Sequence, residues 1–288
     1  MPGPHCIVEV RWGRRSGTKM VIPPGRSLRV GRTARAGLVI PHDRQLSGEH
    51  FELRWDGRRC TLRDLESLTG TRLDGELVKQ AEVAHGGWIQ AGETDFMVYV
   101  EGRTPPPEEP EHDLDDEERQ RREERRVAAE KVFVELQEEA KAPLYALLDA
   151  ARDDRILELL RESVESHQSL YEGQGGEPLD DVAPYLVGPM GPASKLLERL
   201  VLEGWGRRWG IFCTSAEPFH EVRRHWRRFL MVELEEGGKR VYFRFYDPGV
   251  LRVFLPICTN RQILELTASL DGLFFEDAGH ELIKHRAR

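Results

Sequence analysis

The chain has 288 residues, of which 39% are hydrophobic and 32% charged, a composition that allows a sizeable core and differs from that of a disordered chain. No apolar run approaches the length of a transmembrane helix, and the N-terminus lacks the pattern of a secretory signal. The four cysteines are scattered without a CxxC pair, which argues against a zinc ribbon and fits a reducing compartment. We therefore expect a cytoplasmic protein without a membrane partner, a metal or a cofactor.

The formal charge of −8 is unevenly distributed along the chain. Residues 1–103 have a net charge of +3, residues 104–140 of −8 and residues 141–288 of −3. The acidity therefore belongs to a middle segment. A charge of +3 spread over the first 103 residues is too small to indicate a nucleic-acid partner.

The N-terminal third has the pattern of short β-strands separated by turns. Asp56-Gly57 and Asp74-Gly75 are both typical of the primed turns of β-hairpins. The segments with alternating polarity are 7–12, 19–22, 27–31, 50–55, 59–65 and 96–101. Short strands at this spacing predict an all-β sandwich over residues 1–103.

The composition changes at residue 104. Residues 102–113 are rich in Pro and Glu and predict an extended linker. Residues 115–142 contain no Gly or Pro and predict a helix that is charged all round in its first half. Its second half has an apolar stripe formed by Ala129, Val132, Phe133, Leu136 and Ala140. We assign residues 104–141 to a linker and a charged helix, either a spacer or part of the next domain.

The remaining residues, 142–288, alternate between strand-like and helix-like patterns. Strands are predicted at 144–150, 183–190 and 209–215, and two more within 240–257 on either side of a turn at Asp247-Pro248-Gly249. Helices are predicted at 153–171, at 194–206 with Ser194 as N-cap, from residue 217, and at 260–270. This alternation predicts an α/β layered domain, so the chain is expected to contain two domains of different class.

Three blocks in the first domain carry a specific resemblance. They are VGR at 30–32, SGEH at 47–50 and DLESLTGTRLDG at 64–75. Their order and spacing resemble those of the forkhead-associated (FHA) domain, a β-sandwich whose loops bind phosphothreonine peptides. The resemblance implies phosphopeptide-binding roles for Arg32, Ser47, Gly48, Ser67, Thr69 and Gly70. It also implies that Gly31 and His50 support the binding loops.

The chemistry of these residues suits a phosphothreonine, which has nearly two negative charges and three acceptor oxygens. Arg32 would offer a guanidinium fork to the phosphate, and Ser47 a hydroxyl and a backbone N–H. The chain departs from the family at Thr69, where the family has Asn, because a hydroxyl cannot both donate to and accept from a peptide backbone as a carboxamide does. Gly48 also stands where the family often has Arg. We expect the contacts to the phosphate to be retained and those to the peptide backbone to be weaker.

A second resemblance covers residues 143–278. Its blocks are LYALLDAAR at 144–152, SLYEG at 169–173, APYLV at 183–187, WGIFCTS at 209–215, HWRRFLMVE at 225–233 and FRFYDPGVL at 243–251. They resemble the effector-adaptor (chaperone) domain of bacterial type VI secretion, and FRFYDPGVL is the most specific block. The resemblance implies two partners, a toxic effector and the VgrG spike protein. Its signature residues here are Arg244, Tyr246, Asp247 and Pro248.

No pattern in the chain indicates an enzyme. HEVRRH (220–225) and HELIKH (280–285) place their histidines five residues apart, which is about 140° around a helix, so neither pair can share a zinc ion from one helix face. Asp149 and Asp247 follow predicted strands, and a site with two carboxylates is the least favoured hypothesis. The favoured one is a non-enzymatic adaptor that loads an effector onto VgrG, with an FHA domain for phosphothreonine-dependent or docking contacts. The alternative is a phosphothreonine-dependent signalling scaffold without a loading role.

Overall fold

A computed structural model describes residues 3–12, 15, 17–107, 115–171, 182–233 and 239–286. The chain forms two compact units, one built mainly from residues 1–105 and the other mainly from residues 106–288. The predicted fold class is confirmed: a β-sandwich is followed by a helix and a layered region of helices and strands.

The first unit contains eleven described strands. They are β1 (Cys6–Trp12), β2 (Lys19–Ile22), β3 (Arg26–Gly31), β4 (Leu38–Val39), β5 (Phe51–Trp55), β6 (Cys60–Asp64), β7 (Thr71–Leu73), β8 (Glu76–Val78), β9 (Gln80–Val83), β10 (Gly87–Ala91) and β11 (Thr94–Val100). They form a six-stranded sheet in the order β2-β1-β11-β10-β7-β8 and a five-stranded sheet in the order β4-β3-β5-β6-β9.

The core of the sandwich follows from the alternation of side chains along each strand. In β5, Phe51, Leu53 and Trp55 are buried, whereas Arg54 between them is exposed. The ring of Phe51 meets the ring of Phe96 from the other sheet edge-on, with 5.4 Å between ring centroids. Each large apolar side chain buried in this way contributes about 1.5–3 kcal/mol to the free energy of folding.

The two predicted hairpin turns have different outcomes. Asp74 and Gly75 both have positive φ, 50° and 88°, as a primed turn between β7 and β8 requires, so this prediction is confirmed. The primed turn predicted at Asp56-Gly57 is wrong, because four residues separate β5 from β6. The Asp56 carboxylate accepts the backbone N–H groups of Arg58 (2.7 Å) and Arg59 (2.8 Å), which stabilises the longer loop.

The second unit begins its regular structure with α1 (Asp116–Glu139). The helices that follow are α2 (Arg155–Arg161), α3 (Lys195–Gly204), α4 (Phe219–Arg227), α5 (Pro248–Phe254) and α6 (Asn260–Thr267). The strands are β12 (Leu144–Asp149), β13 (His167–Ser169), β14 (Pro184–Met190), β15 (Gly210–Thr214), β16 (Met231–Glu233), β17 (Arg240–Tyr242), β18 (Gly272–Glu276) and β19 (Leu282–Arg286). Six of them form a sheet in the order β13-β14-β12-β15-β18-β19, in which every pairing is antiparallel, and β16 pairs with β17 separately.

Helices cover both faces of this sheet, and its strand β12 is therefore buried on both sides. Leu144, Ala146 and Leu148 of β12 belong to one apolar cluster, together with buried residues of α1, α2 and α3. Tyr145 and Leu147 belong to a second cluster, with residues of α4, α5 and α6. A strand with no charged side chain until its last residue, Asp149, is what burial on both faces requires.

The predictions for α1 and α3 are confirmed. Asp115 caps α1 in a capping box with Glu118, and only the second half of the helix has buried side chains: Ala129, Val132 and Leu136. Ser194 caps α3, and its hydroxyl accepts the N–H of Leu197 at 3.1 Å.

Three predictions for the second unit are wrong. The second strand expected within 240–257 is the helix α5, and the turn expected at Asp247-Pro248-Gly249 is the start of that helix, with Asp247 as N-cap and Pro248 as its first residue. The helix expected over 153–171 covers only α2, and β13 follows it. The hairpin of β18 and β19 was not predicted. At residues 248–257 the cause is that a short apolar run does not distinguish a helix from a strand by periodicity.

Candidate functional site

Arg32 follows β3 directly at one end of the sandwich. Its backbone N–H donates to the carbonyl oxygen of Ser47 at 2.9 Å. The close approach depends on Gly31, because a Cβ atom there would lie 2.3 Å from the carbonyl oxygen of Gly48. The Arg32 side chain is exposed, and its guanidinium makes no hydrogen bond to any described residue. Nearby Arg29, by contrast, is bonded to Glu49 at 2.8 Å and to Glu52 at 3.2 Å.

Ser47 links its own loop, which follows β4, to the loop between β6 and β7. Its hydroxyl oxygen accepts the N–H of Leu68 at 2.9 Å, which leaves the O–H proton available to another acceptor. Its own N–H donates to Nδ1 of His50 at 3.0 Å. Gly48 accepts the N–H and the hydroxyl of Thr33, at 3.1 and 2.9 Å. The loop of Ser47 and Gly48 is therefore fixed from both sides.

His50 is fully buried and uses both ring nitrogens. Because Nδ1 accepts from Ser47, the proton lies on Nε2, which donates to the carbonyl oxygen of Gly70 at 3.1 Å. Gly70 has φ 77°, in the left-handed region, and a Cβ atom there would lie 2.6 Å from Leu77. His50 thus holds the loop of Ser47 against the loop of Gly70 and has no nitrogen left for catalysis.

Ser67 and Thr69 lie in the loop between β6 and β7. The Ser67 hydroxyl donates to Asp64 at 2.5 Å, so its proton is committed within the protein. Thr69 is exposed, and its hydroxyl donates to the carbonyl oxygen of Gln45 at 3.2 Å. Of the serines expected to bind phosphate, Ser47 therefore has a free proton and Ser67 has not.

Two buried carboxylates that the sequence analysis missed hold these loops. Asp64 accepts the hydroxyls of Ser67 and Thr71 (2.7 Å) on one oxygen, and the N–H of Ser67 (3.1 Å) and the Lys79 ammonium (3.3 Å) on the other. Burial raises the pKa of Asp64, but these hydrogen bonds outweigh it and hold the pKa below its ordinary value.

Asp43 is the second of these carboxylates. It accepts the N–H groups of Gln45 (2.9 Å) and Leu46 (3.1 Å) on one oxygen, and the N–H of Glu93 (2.8 Å) and the hydroxyl of Thr94 (2.7 Å) on the other. Gly92, with φ 62°, leaves room for it, because a Cβ there would lie 2.7 Å from both carboxylate oxygens. A buried aspartate between loops has no period or spacing that would have revealed it.

Comparison with known proteins agrees with this geometry. Residues 28–92 match the family model of the FHA domain. We call the N-terminal unit, which contains this match, the FHA unit. FhaA of Mycobacterium tuberculosis, an FHA domain-containing protein, is 35% identical over 69 residues, which are 24% of this chain and 13% of FhaA. The FHA unit is thus similar to a small part of that relative.

Two solved structures resemble the FHA unit. The FHA domain of FhaA, crystallised with the intracellular domain of Rv3910, is 31% identical, covers 32% of this chain and 98% of its own, and has a TM-score of 0.30. An FHA domain studied for phosphothreonine-dependent interactions is 29% identical, covers 36% of this chain and 99% of its own, and has a TM-score of 0.31.

In the second unit, the signature residues lie around two buried carboxylates. Asp247 accepts Nε (2.9 Å) and Nη2 (2.6 Å) of Arg208, Nη2 of Arg152 (2.5 Å), and the N–H of Gly249 (2.9 Å). Burial raises the pKa of Asp247, but Arg208, Gly249 and Arg152 together hold it below its ordinary value. Asp149 forms an ion pair with Arg244 through Nη2, and Nε of Arg152 lies 3.5 Å from it.

The other signature residues pack beside these pairs. Tyr246 is buried, and burial raises its pKa to about 12. Its hydroxyl donates to that of Tyr242 at 3.5 Å, which donates to Tyr171 at 2.7 Å. Pro248 occupies the first position of α5. Phe245 is buried and stacks on Trp226 with 5.0 Å between ring centroids, so Trp226 is a core residue.

This geometry does not support catalysis by Asp149 and Asp247. Each is bound to arginine, and the lowered pKa of Asp247 prevents it from acting as a general acid near neutral pH. The zinc-like histidine patterns are also separated: His220 is exposed, whereas His225 is buried and bonded to the carbonyl oxygen of Leu266 at 2.8 Å. Within the described ranges, no three side chains of His, Cys, Asp or Glu are grouped as a metal site would need.

Residues 144–265 match the family model of a domain of unknown function, DUF4123. The match includes Asp149, Asp247 and the three arginines that contact them, Arg152, Arg208 and Arg244. We call the second unit, which contains this match, the DUF4123 unit. Among the helices that the structure describes, none is both long enough and apolar enough to span a bilayer.

Proposed function

We propose that the chain is a cytoplasmic adaptor whose FHA unit binds a phosphothreonine-containing protein and whose DUF4123 unit holds a type VI secretion effector for loading onto the VgrG spike. The observation that carries the FHA half is that Arg32, whose guanidinium is uncommitted among the described residues, is bonded through its backbone N–H to Ser47, whose hydroxyl has a free proton. The DUF4123 half is supported by the match to residues 144–265 and by the resemblance of the FRFYDPGVL block to effector adaptors.

Phosphate would bind through a small number of strong contacts. Arg32 supplies a planar fork of N–H donors, and the Ser47 hydroxyl supplies one more. Hydrogen bonds to a charged group contribute about 1.5–3 kcal/mol each. Two or three of them, less the cost of ordering the peptide, give a dissociation constant of roughly micromolar order. The fixed loops reduce the ordering cost on the protein side.

Thr69 would contribute less to peptide binding than an Asn at its position. Its hydroxyl donates to Gln45, so it offers a passing peptide only an acceptor oxygen. Exposed Leu68, next to it, offers an apolar contact instead. The FHA unit would therefore depend on the phosphate for most of its affinity, and its discrimination of the flanking sequence would be low.

The first experiment measures phosphate dependence with the purified full-length chain. A fluorescent pool of degenerate phosphothreonine peptides is titrated by anisotropy against the same pool without phosphate. We expect binding only to the phosphorylated pool, and a loss of at least tenfold in Arg32→Ala. Arg54→Ala, which removes an exposed arginine from β5, is the matched control. Equal binding of both pools, or full binding by Arg32→Ala, would contradict the FHA half.

The second experiment tests the adaptor half by affinity capture from the native bacterium, with mass spectrometry. Wild type is compared with the double variant Arg32→Ala/Ser47→Ala. Recovery of a toxin-like protein and a VgrG-like protein with both baits supports an adaptor in which the FHA unit is accessory. Recovery with wild type alone means that threonine phosphorylation controls loading. If neither protein is recovered, the adaptor proposal is wrong and a signalling scaffold takes its place.

A further inference from the structure

Arg208 has an unusual backbone conformation. Its φ is 59°, in the left-handed region that side chains other than those of Gly, Asn and Asp rarely adopt. The loop is held there by the buried carboxylate of Glu276, which accepts the N–H of Gly206 at 2.5 Å and that of Arg208 at 3.1 Å. Conformations of this kind persist where the surrounding structure enforces them, and they concentrate at functional sites.

The enforced conformation directs the Arg208 side chain onto Asp247. Space for it exists because residue 249 is glycine, since a Cβ atom there would lie 2.2 Å from Nη2 of Arg208. Asp247 therefore has two functions, capping α5 through the N–H of Gly249 and orienting the guanidinium of Arg208. The DPG sequence thus specifies an arginine site as well as a helix start.

Arg152 and Arg244 complete an arginine cluster with Arg208. Arg152 lies against both carboxylates, which brings the three guanidiniums together over Asp149 and Asp247. The three guanidiniums and the two carboxylates that they contact have a net charge of +1. The Nη1 atom of each arginine makes no hydrogen bond within the described residues, and the side chains are 30%, 45% and 42% exposed for Arg152, Arg208 and Arg244. The buried carboxylates thus orient three partly exposed arginines that keep N–H groups for which no described residue is the acceptor.

We propose that this arginine cluster binds a carboxylate of a protein partner, from an acidic side chain or a C-terminus. The unbonded N–H groups of the three guanidiniums are charge-assisted donors of the kind that bind a carboxylate. The net charge of +1 suits a single negative charge, whereas a phosphate dianion would add a second one above two buried carboxylates. The inference rests on the proposed function, in which the DUF4123 unit binds a protein, and it identifies the chemistry that would recognise that protein.

The test uses a defined probe and the full-length chain. Acetyl-Glu-Glu-Glu-amide is titrated at constant ionic strength into protein labelled with ¹⁵N, and the arginine side-chain Nε–H resonances are followed. We expect a saturable shift of the Arg152, Arg208 and Arg244 signals with a dissociation constant on the order of millimolar, because the peptide offers few contacts. Acetyl-Gln-Gln-Gln-amide should produce no such shift. A free peptide with a C-terminal carboxylate and no acidic side chain distinguishes the two sources of the group.

Variants decide whether the cluster itself is responsible. Arg244→Gln should weaken binding of the Glu peptide at least fivefold, while Arg261→Gln, which removes an exposed arginine of α6, should not. If Arg244→Gln does not fold, Arg244→Lys keeps a cation for Asp149 without the fork and should also weaken binding. Equal shifts with the Gln peptide, shifts spread over arginines such as Arg261, or unchanged binding by a folded Arg244 variant would each overturn the proposal.

The peptide titration involves neither an effector nor VgrG, so its failure can be separated from that of the proposed function. Specific binding of the Glu peptide without capture of either protein would leave the carboxylate site and remove the adaptor role. Capture of both proteins in equal amounts by wild type and Arg244→Lys, with no specific peptide shift, would leave the adaptor role and remove the carboxylate site.

Discussion

A single methyl group added at Gly31 should weaken phosphopeptide binding at least tenfold, whereas the same change at neighbouring Gly48 should have little effect. In Gly31→Ala, Cβ would lie 2.3 Å from the carbonyl oxygen of Gly48 and 2.9 Å from Cα of Glu49. Both obstacles are backbone atoms, so no side-chain rotation can relieve the contact. In Gly48→Ala, the nearest atoms belong to the Thr33 side chain at 3.4 Å, and the backbone has no positive φ.

The magnitude follows from what must move. Relieving the contact requires β3 and the loop of Ser47 to separate by roughly 1 Å, and overpacking of this kind costs about 1–3 kcal/mol of stability. The hydrogen bonds from Arg32 to Ser47 and from Thr33 to Gly48 lie on either side of the contact, so the phosphate donors would lose their relative positions. Losing one charge-assisted bond of about 1.5–3 kcal/mol lowers affinity by roughly 10- to 150-fold.

The assay is anisotropy with the phosphothreonine peptide pool, together with thermal unfolding of the full-length chain. We expect Gly31→Ala to bind at least tenfold more weakly and to unfold at a lower temperature, and Gly48→Ala to remain within threefold of wild type in affinity. Wild-type affinity and stability in Gly31→Ala would refute the argument that the close approach of these two backbones orients the phosphate donors.

Three further predictions concern the buried carboxylates and the serines. Because its pKa is lowered, the Asp64 carboxylate stabilises the fold above about pH 4, and this contribution is lost as the pH falls further. Asp64→Asn should therefore flatten this part of the stability–pH curve measured by urea unfolding. An unchanged curve would contradict the assignment. Ser47→Ala should weaken phosphopeptide binding tenfold or more. Ser67→Ala should mainly lower the unfolding temperature, because the Ser67 hydroxyl is committed to Asp64. The reverse pattern in paired anisotropy and melting experiments would show that Ser67 binds the phosphate. Asp247→Asn should lower the free energy of unfolding in urea by about 2 kcal/mol, because hydrogen bonds to a charged group are lost. Gly249→Ala should have a similar effect, because the added methyl group would displace Arg208. Wild-type stability of both variants would refute the role of the DPG sequence.

The sequence predicts the FHA unit well because its information is local. Alternating strands, the Asp74-Gly75 turn and the spacing of the three FHA blocks each depend on residues that are close along the chain. Asp43 and Asp64 escaped prediction because their partners are backbone N–H groups and hydroxyls, which no sequence pattern marks. Asp64 joins residues up to 15 positions away, and Asp43 reaches Thr94, 51 positions away.

The DUF4123 unit was predicted less well, for a related reason. Val250 and Val253 have high strand propensity, yet they lie in α5 because Asp247 and Pro248 start a helix there. Asp247 is also bound to Arg208, which is 39 residues distant, and no sequence pattern marks that contact. Arg244 and Asp247, which the sequence singled out, both lie in the cluster of arginines and carboxylates, and the helix that begins after Asp247 had been predicted as a turn and a strand.

The inward hydrogen bonds of Asp43, His50 and Asp64 have a consequence for how this domain can change. These three side chains hold the loops from within, and the exposed side chains of Leu68 and Thr69 at the rim add only the hydrogen bond from Thr69 to Gln45. A substitution at Leu68 or Thr69 can therefore change which peptide is preferred without destabilising the β-sandwich. A lineage could exchange one phosphorylated partner for another by single substitutions, and Thr69→Asn would be among the shortest such steps.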